Sequence, residues 1–552
     1  MIYPKIPLAQ SVIEICKTQG IQHIVISPGS RNAPLTIGFS NNENFTCYSI
    51  VDERCAAFFA LGIAQQIQKP VAVVCTSGSA LLNYYPAVAE AFYSQIPLVV
   101  ISADRPHDKI DIGDGQTIRQ ENVFANHILF NANLTEETSV NNDELINKAI
   151  LTSIDLKGPV HINVPFEEPL YETQDFISVK PKILQKQKQH FNVDLTQENI
   201  DFWNNSSKKM ILVGELLPNS IDEKIIEEFG KEESSIVFTE KNSNLHHYSF
   251  INNIDTIITP FTEEDFKKIQ PDLLVTFGGM VVSKRIKAFL RKYKPQQHWH
   301  IDTLRAYNTY DALTHHFKSN PNDFFNELLV RAESKTDSDY NKNLQKIKVE
   351  RAVKHNNYIA EIPFSDFKVF EIISKFLPKN SMLQVSNSSA IRYLQLIEVD
   401  KSIEIFCNRG TSGIDGSTST AIGATVVSGK PTVLITGDIS FFYDSNALWN
   451  NYIPNNFKII LVNNGGGGIF RILPGHQENE TFSKYFETAH NLTAEYLAKM
   501  FNFNYESVDN EKDLELKLSQ IFTQNNKPQL LEIFTPEKVN DKVLKDYFKK
   551  LL

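Results

Sequence analysis

The sequence is short of several things, and each shortage closes off a class of protein. Only five cysteines occur in 552 residues, at Cys16, Cys47, Cys55, Cys75 and Cys407, and none forms a C-x-x-C pair. Neither a disulfide framework nor a zinc site is indicated, and reduced, mostly buried thiols of a cytoplasmic protein are the expectation. No stretch approaches the ~18 consecutive apolar residues of a membrane helix. The N-terminus MIYPKIPLAQSVIEICKTQG lacks the basic start and unbroken apolar run of a signal peptide. Basic residues are outnumbered, 55 Lys and Arg against 65 Asp and Glu, for a net charge of −10. That balance argues against a general binder of nucleic acid or anionic membrane, but leaves room for a local pocket of positive charge. No repeat or low-complexity tract is present. No G-x-G-x-x-G follows a strand, so no flavin is expected.

What is present is ordinary apolar material arranged in a regular rhythm. Hydrophobic residues make up 42% and charged residues 22%, enough for several cores. At roughly 150 residues per domain the length suggests three or four domains. In the first third, HIVISPG, VAVVCTSG, PLVVISAD and PVHINVP read as buried strands. RCAAFFALGIAQQIQ and ALLNYYPAVAEAFYSQ, with apolar residues at helical spacing, lie between them. Such alternation predicts an α/β domain with a parallel sheet, whose active loops sit at the carboxyl ends of the strands. SPGSR, TSGSA and SADRP each follow a strand directly and belong on that edge.

The polar stretch KPKILQKQKQHFNVDLTQEN reads as a linker, and the charged, solvated run AESKTDSDYNKNLQKIKVERAVKHNN as a second boundary. The expected units are residues 1–180, 195–335 and 355–552. KKMILVGE, SIVFTE, DLLVTFGG and HWHID supply strands to the second. SMLQVSN, EIFCNRG, TVLITGD, FKIILVNN and QLLEIFTP supply them to the third. If the first and third units share a fold, the letters do not show it.

The stretch ILVNNGGGGIF, Ile460 to Phe470, breaks a buried strand into two asparagines and four glycines. Four glycines leave an open lip of backbone that something can approach closely. Upstream, the strand TVLITGD ends in Gly437 and Asp438, 26 residues before Asn464. FFYDSNALWNNYI reads as a helix between the two strands, so a β-α-β unit turns both strand ends toward one point. Asp438 and Asn464 are a poor cage for a free divalent ion, but suffice for Mg²⁺ carried by a diphosphate, with glycine backbone completing the site. The bland alternative is that Asp438 caps a helix and the glycines make a loose turn.

G-D-x-S followed after about 25 residues by N-N resembles the fingerprint of thiamine diphosphate enzymes. That resemblance implies three thiamine-type domains, two of which hold the pyrimidine and diphosphate ends of the cofactor and flank a central one. It implies that Asp438 and Asn464 ligate Mg²⁺ (or Mn²⁺) through side-chain oxygens and Gly466 through its carbonyl, with Gly437, Ser440 and Ile469 beside the cofactor. Glu53, opening a helix in SIVDERCAAFFALG, resembles the catalytic glutamate that faces N1′ of the aminopyrimidine; alone it would be a first-turn glutamate serving the helix dipole. Thr76, Ser77 and Gly78 resemble the lining of the pyrimidine pocket, and Ile414 in SGIDG the aliphatic wedge that bends the cofactor.

Several predicted loops carry cations: Arg31, Arg105, Lys284, Arg392 and Arg409. Any one alone is more often a surface ion pair, but together they suggest a polyanionic substrate set. SPGSRNAPL, DERCAAF, TSGSALLNYYPAVAEA, ADRP with GQTIRQ, NRGTSGIDGSTSTAIG, GDISFFYD and NNGGGGIF occur in one order across nearly the whole chain. This set resembles the 2-succinyl-5-enolpyruvyl-6-hydroxy-3-cyclohexene-1-carboxylate synthase family of menaquinone biosynthesis. Its members decarboxylate 2-oxoglutarate and add the product to isochorismate, two dicarboxylates. The resemblance makes Ser30, Arg31, Arg105, Gln116, Lys284, Ser388, Arg392 and Arg409 substrate contacts, and Ile469 and Phe470 an apolar wall. It also implies a homodimer, or a homotetramer, with active sites shared between chains. Departures are small: Cys55 and Ala56 stand where glycine is frequent, Tyr443 where histidine is common, and Gly465 replaces a frequent asparagine. The alternatives are another thiamine-dependent 2-oxoacid decarboxylase or carboligase, of acetolactate synthase type, and a non-catalytic scaffold. Retention of Glu53, Asp438 and Asn464 together speaks against the scaffold.

Overall fold

Short runs of valine, isoleucine and leucine make strands that are buried on both faces, and such strands demand helices above and below. The computed structural model meets that demand three times over; it describes residues 2–186, 193–333, 338–472, 475, 477–523 and 526–552. The first sheet contains β1 (His23–Ile26), β2 (Thr46–Ser49), β3 (Val71–Cys75), β4 (Leu98–Asp104), β5 (Phe130–Asn133) and β6 (Val160–Pro165), in spatial order β2-β1-β3-β4-β6-β5. The middle sheet contains β7 (Lys209–Val213), β8 (Ser235–Phe238), β9 (Leu273–Phe277), β10 (Gln297–Ile301) and β11 (His315–Phe317), in order β8-β7-β9-β10-β11. The third contains β12 (Met382–Val385), β13 (Glu404–Phe406), β14 (Thr432–Gly437), β15 (Phe457–Asn463), β16 (Asn504–Val508) and β17 (Gln529–Phe534), in order β13-β12-β14-β15-β17-β16. Every pairing in these sheets is parallel; a two-stranded antiparallel ribbon, Tyr3–Pro4 with Thr173–Gln174, stands apart. The first and third sheets have the same strand order, a kinship that the sequence did not reveal.

The helices that position the site are α1 (Glu53–Ile67), α2 (Tyr85–Ser94), α3 (Lys284–Lys292), α4 (Tyr340–Glu361), α5 (Asp366–Phe376), α6 (Ser417–Ser428) and α7 (Asp438–Tyr443). α1 of the first unit lies against α6 of the third, and glycine lets the backbones touch. A Cβ on Gly62 would lie 2.1 Å from the Thr420 carbonyl oxygen, and one on Gly423 2.0 Å from that of Phe59. Around this crossing one continuous core unites the two units: Phe58, Phe59 and Leu61 pack with Ile422, Leu434 and Phe441.

Two stretches depart from expectation. FFYDSNALWNNYI forms α7 and a separate 3₁₀ turn, Ser445–Leu448, rather than one helix. The break falls at Asp444, which turns inward and accepts from Ser419 N–H at 2.8 Å and Ser419 Oγ at 2.9 Å. The charged run expected as a solvated boundary becomes α4. Tyr340 anchors it to the middle unit by donating to the Ile269 carbonyl, and Tyr358 ties its other end to the third unit through the Val543 carbonyl. Residues 187–192 of the expected linker and 334–337 of the charged run lie outside the described residues.

The α1–α6 crossing gives a sharp test. Glycine within a helix ordinarily costs about 0.5–1 kcal/mol relative to alanine. At position 423 a methyl group meets carbonyl oxygen, and overpacking of about 1–3 kcal/mol outweighs that gain. Gly423→Ala should therefore lower the thermal midpoint of the chain. A rise in a melting experiment would mean that the helices separate freely.

Candidate active site

Loops at the carboxyl edge of the first sheet bring together most of the residues singled out there. Ser30 and Arg31 follow β1, Thr76, Ser77 and Gly78 follow β3, and Arg105 follows β4. Arg31 N–H donates to Thr76 Oγ1 at 3.2 Å. Its guanidinium is buried and donates to the Phe166 carbonyl and to Glu168, each at 3.1 Å. Arg105 donates to the Gly115 carbonyl at 3.2 Å and pairs with Asp114, next to Gln116. A residue not singled out, Gln120, knits these loops together. Its Oε1 accepts from Gly78 N–H at 2.9 Å, and its Nε2 donates to Asn163, which in turn donates to Asp104.

Glu53 opens α1, yet it is not the cap. Asp52 accepts from Cys55 N–H at 3.2 Å and does that work. Glu53 is half-buried and accepts from Asn83 Nδ2 at 3.1 Å. The neighbouring Cys55 is packed away, its Sγ directed to Asp444.

The second cluster lies at the carboxyl edge of the third sheet. β14 and β15 are adjacent and parallel, with Gly437 opposite Val462, so Asp438 and the asparagine–glycine lip leave the sheet side by side. The Asp438 carboxylate accepts from Ile439 N–H at 2.7 Å and from Gly466 N–H at 3.0 Å. Asn464 Nδ2 donates to Asp366 at 2.8 Å, while Asn464 Oδ1 is buried with no protein partner. His490 Nε2 stands 3.4 Å from Asp438. Ser440 Oγ donates to the Ile414 carbonyl at 2.8 Å and so fixes the SGIDG loop against α7.

The lip itself is clasped. Gly467 N–H donates to the Glu487 carbonyl at 2.6 Å, and His490 N–H to that of Gly465 at 2.9 Å. Gly466 has φ +153°, and a Cβ there would lie 2.8 Å from the Glu487 carbonyl oxygen. Beneath, the buried side chains of Arg471 and Glu487 form a two-pronged ion pair.

Beside the lip is a cavity of about 250 Å³. Lys284, Arg285, Arg392 and Ile469 line it, together with the carboxylates of Glu240 and Asp255. Lys284 and Arg285 stand at the start of α3, where Glu240 accepts from Val282 N–H at 2.6 Å and Ser283 N–H at 2.7 Å. Burial pushes Glu240 up to about 7, and burial followed by repulsion from Arg409 pushes Arg392 down. Arg392 also donates to the carbonyl of Ser388, whose φ of +67° is a strained conformation for a residue with a side chain. Arg409 donates to Asn387 Oδ1 at 2.6 Å. Its loop is gripped by the buried Glu90 of α2, which accepts from Gly410 and Thr411 N–H, each at 2.7 Å. Phe470 packs toward Phe486.

Lys284, Arg392 and Ile469 thus share one cavity, and Asp438, Asn464 and Gly466 share one strand edge. Among the described residues, no hydrogen bond or ion pair runs from the first-unit cluster to Asp438, Asn464, Arg392 or Arg409. Arg285, Asp366, Gln120, Glu90 and His490 were missed. Arg285 stood next to Lys284, Gln120 ended GQTIRQ and Glu90 lay in TSGSALLNYYPAVAEA, so these three carried a signal; Asp366 and His490 carried none.

An oxygen-only donor set with one buried, unpartnered amide oxygen fits a small hard cation such as Mg²⁺. The Gly466 carbonyl accepts from Gly468 N–H at 3.0 Å and retains a second lone pair for such an ion.

Comparison with known proteins finds three thiamine pyrophosphate enzyme domains along the chain. The thiamine pyrophosphate enzyme N-terminal TPP binding domain matches residues 6–127, the thiamine pyrophosphate middle domain 170–385, and the C-terminal TPP binding domain 388–533. A 2-succinyl-5-enolpyruvyl-6-hydroxy-3-cyclohexene-1-carboxylate synthase of Flavobacterium johnsoniae is 66% identical over 554 residues, and one of Flavobacterium psychrophilum 67% over 551, each match covering 100% of both chains. One of Christiangramia forsetii is 54% identical over 573 residues, covering 99% of both. The chain, with its three parallel sheets and its glycine lip, belongs to the 2-succinyl-5-enolpyruvyl-6-hydroxy-3-cyclohexene-1-carboxylate synthase family of thiamine pyrophosphate enzymes.

Proposed function

We propose that this enzyme decarboxylates 2-oxoglutarate and adds the remaining four-carbon unit in 1,4 fashion to isochorismate. CO₂ and 2-succinyl-5-enolpyruvyl-6-hydroxy-3-cyclohexene-1-carboxylate are the products, in menaquinone biosynthesis. The observation that carries the choice of substrates is the cavity beside the lip, where Lys284, Arg285 and Arg392 converge next to Ile469. Three cations in one cavity suit dicarboxylates and are superfluous for pyruvate, the substrate of an acetolactate synthase-like alternative.

When bound, thiamine diphosphate supplies the nucleophilic carbon and the electron sink that decarboxylation of a 2-oxo acid requires. Asp438 and Asn464 would hold its Mg²⁺, or Mn²⁺, through side-chain oxygens, and Gly466 through its carbonyl. Gly437 and Ser440 lie alongside. Glu53 holds a proton against N1′ of the pyrimidine, whose pocket is formed by Thr76, Ser77 and Gly78. Ile414 would stand against the cofactor as an aliphatic wedge. Lys284, Arg285, Arg392, Arg409 and Ser388 bind carboxylates; Ser30, Arg31, Arg105 and Gln116 orient substrate from the opposite side; Ile469 and Phe470 keep water from the reacting carbon.

The proposal includes a homodimer, or a homotetramer, in which Glu53 of one chain and Asp438 of another serve one site. The family resemblance supports it. A cytoplasmic location and unit boundaries at 1–180, 195–335 and 355–552 complete the reading. No helix among the described residues is long and apolar enough to cross a membrane.

Three measurements test it. With thiamine diphosphate and Mg²⁺, purified protein should release CO₂ from 2-oxoglutarate and consume isochorismate in equal amounts; turnover of pyruvate instead would overturn the assignment. Arg392→Ala should raise KM for at least one dicarboxylate, by the equivalent of about 2–5 kcal/mol for a carboxylate that loses a buried charged partner. Unchanged KM for both would remove Arg392 from the substrate site. Finally, Glu53→Gln and Asp438→Ala chains should each be inactive alone. Refolded together, they should regain activity, because one of the two sites then receives both intact residues. A dead mixture that mass spectrometry shows to contain heterodimer would refute the shared site.

A further inference from the structure

The side chain of Asn464 ends in a planar fork, and only one prong suits a cation. The oxygen can donate a lone pair to a metal; the NH₂ group cannot. An asparagine that is free to rotate by half a turn presents either prong with nearly the same shape. Something must therefore choose between them.

The partner on the other side of the fork makes the choice. Asn464 Nδ2 donates to Asp366 Oδ2 at 2.8 Å, and Asn464 Oδ1 is left buried without a protein partner. An ionised carboxylate accepts hydrogen bonds and cannot donate them. With the oxygen turned toward Asp366, two acceptors would face each other and the NH₂ group would occupy the position proposed for the cation. Asp366 itself has little freedom. It is 2% exposed, its Oδ1 accepts from Thr535 Oγ1 at 2.5 Å, and its backbone N–H donates to Asn540 Oδ1 at 2.8 Å. Ser365 caps the helix that Asp366 opens. Thr535 in turn follows β17, the strand beside β15, and its N–H donates to the Asn463 carbonyl at 3.0 Å. The carboxylate is thereby referenced to the same pair of strands that delivers Asn464.

We propose that Asp366 is the positioning residue of the metal site: by accepting from Asn464 Nδ2 it holds Asn464 Oδ1 free as the oxygen donor to the cation. This rests on the metal reading of Asp438, Asn464 and Gly466 given above. Asp366 touches neither cofactor nor substrate in this scheme and acts only through Asn464.

The test is the affinity for Mn²⁺ in the presence of thiamine diphosphate, read from the electron paramagnetic resonance signal of free Mn²⁺, so that no turnover is needed. Asp366→Asn keeps the shape, but its amide can donate as well as accept, so both orientations of Asn464 become acceptable. Mn²⁺ affinity should fall about 10–100-fold, the usual effect of losing an outer-sphere partner. The thermal midpoint without cofactor or metal should stay close to that of the parent. The swap Asp366→Asn with Asn464→Asp should bind Mn²⁺ more tightly than Asp366→Asn alone, because a carboxylate at 464 offers oxygen on either prong. Parental Mn²⁺ affinity in Asp366→Asn would overturn the proposal, and so would a swap variant no better than the single one. Asp438→Ala separates the two levels of the argument. If it binds Mn²⁺ as the parent does, the metal reading itself falls; if it loses Mn²⁺, that reading stands and the Asp366 variants decide the proposal.

Discussion

A hydrogen bond of 3.0 Å from Gly466 N–H to Asp438 Oδ2 joins the ends of two neighbouring strands. It forms because β14 and β15 run parallel in adjacent positions, so that both chains leave the sheet at the same edge and at the same height. An antiparallel pair would put one of these ends on the far side. The helices on either face, the apolar strands between them and the order of crossing are the means by which the fold secures this one juxtaposition. Asp438 has its orientation set by two backbone N–H groups before any ion arrives, which spares the site the cost of ordering a loose carboxylate.

The same juxtaposition explains why the lip has no side chains. Residues 487–490 lie directly on it and hydrogen-bond to Gly465 and Gly467, and the Glu487 carbonyl occupies the space that a Cβ at 466 would need. The clasp is anchored from below by Arg471 and Glu487, which are 3% and 1% exposed. Arg471 also pairs with Glu478 at 2.7 Å and Glu537 at 3.5 Å, so an ionic network around this buried guanidinium fixes the geometry of the segment above it more firmly than a surface ion pair does. The cavity shows a related economy. Its three cations share the wall with Glu240 and Asp255, and these two acids hold the start of α3 through Val282 N–H and Ser283.

Much of this was legible in the letters. Each strand read from an unbroken apolar run is present, because a strand buried on both faces has no other way to be written. The strands that went unread, β5, β11 and β16, all lie at sheet edges, where half-exposed residues such as Asn131 and His315 and the exposed Glu506 break the apolar run. Asp438, Asn464 and the glycines were legible because their spacing reflects one β-α-β unit. Asp366 and His490 were not, for they reach Asp438 and Asn464 only through folding and sit 98 and 26 residues from Asn464 in the chain. Serine–aspartate before an apolar helix reads as a cap, and nothing local distinguishes a cap from a partner for a distant amide. The common topology of the first and third sheets was invisible for a like reason: it resides in the order of crossings, and many sequences satisfy that order.

The division of duties at the start of α1 carries a consequence for the history of such a chain. Asp52 secures the helix start, so the one side-chain hydrogen bond of Glu53, from Asn83, is not what caps α1. A protein built this way can lose its proposed proton-handling group by one nucleotide-scale accident and still fold, persist and associate as before. Silent descendants, intact in shape and inert in chemistry, therefore lie one step away. They would pass every inspection of overall form and be betrayed only by the letter at position 53.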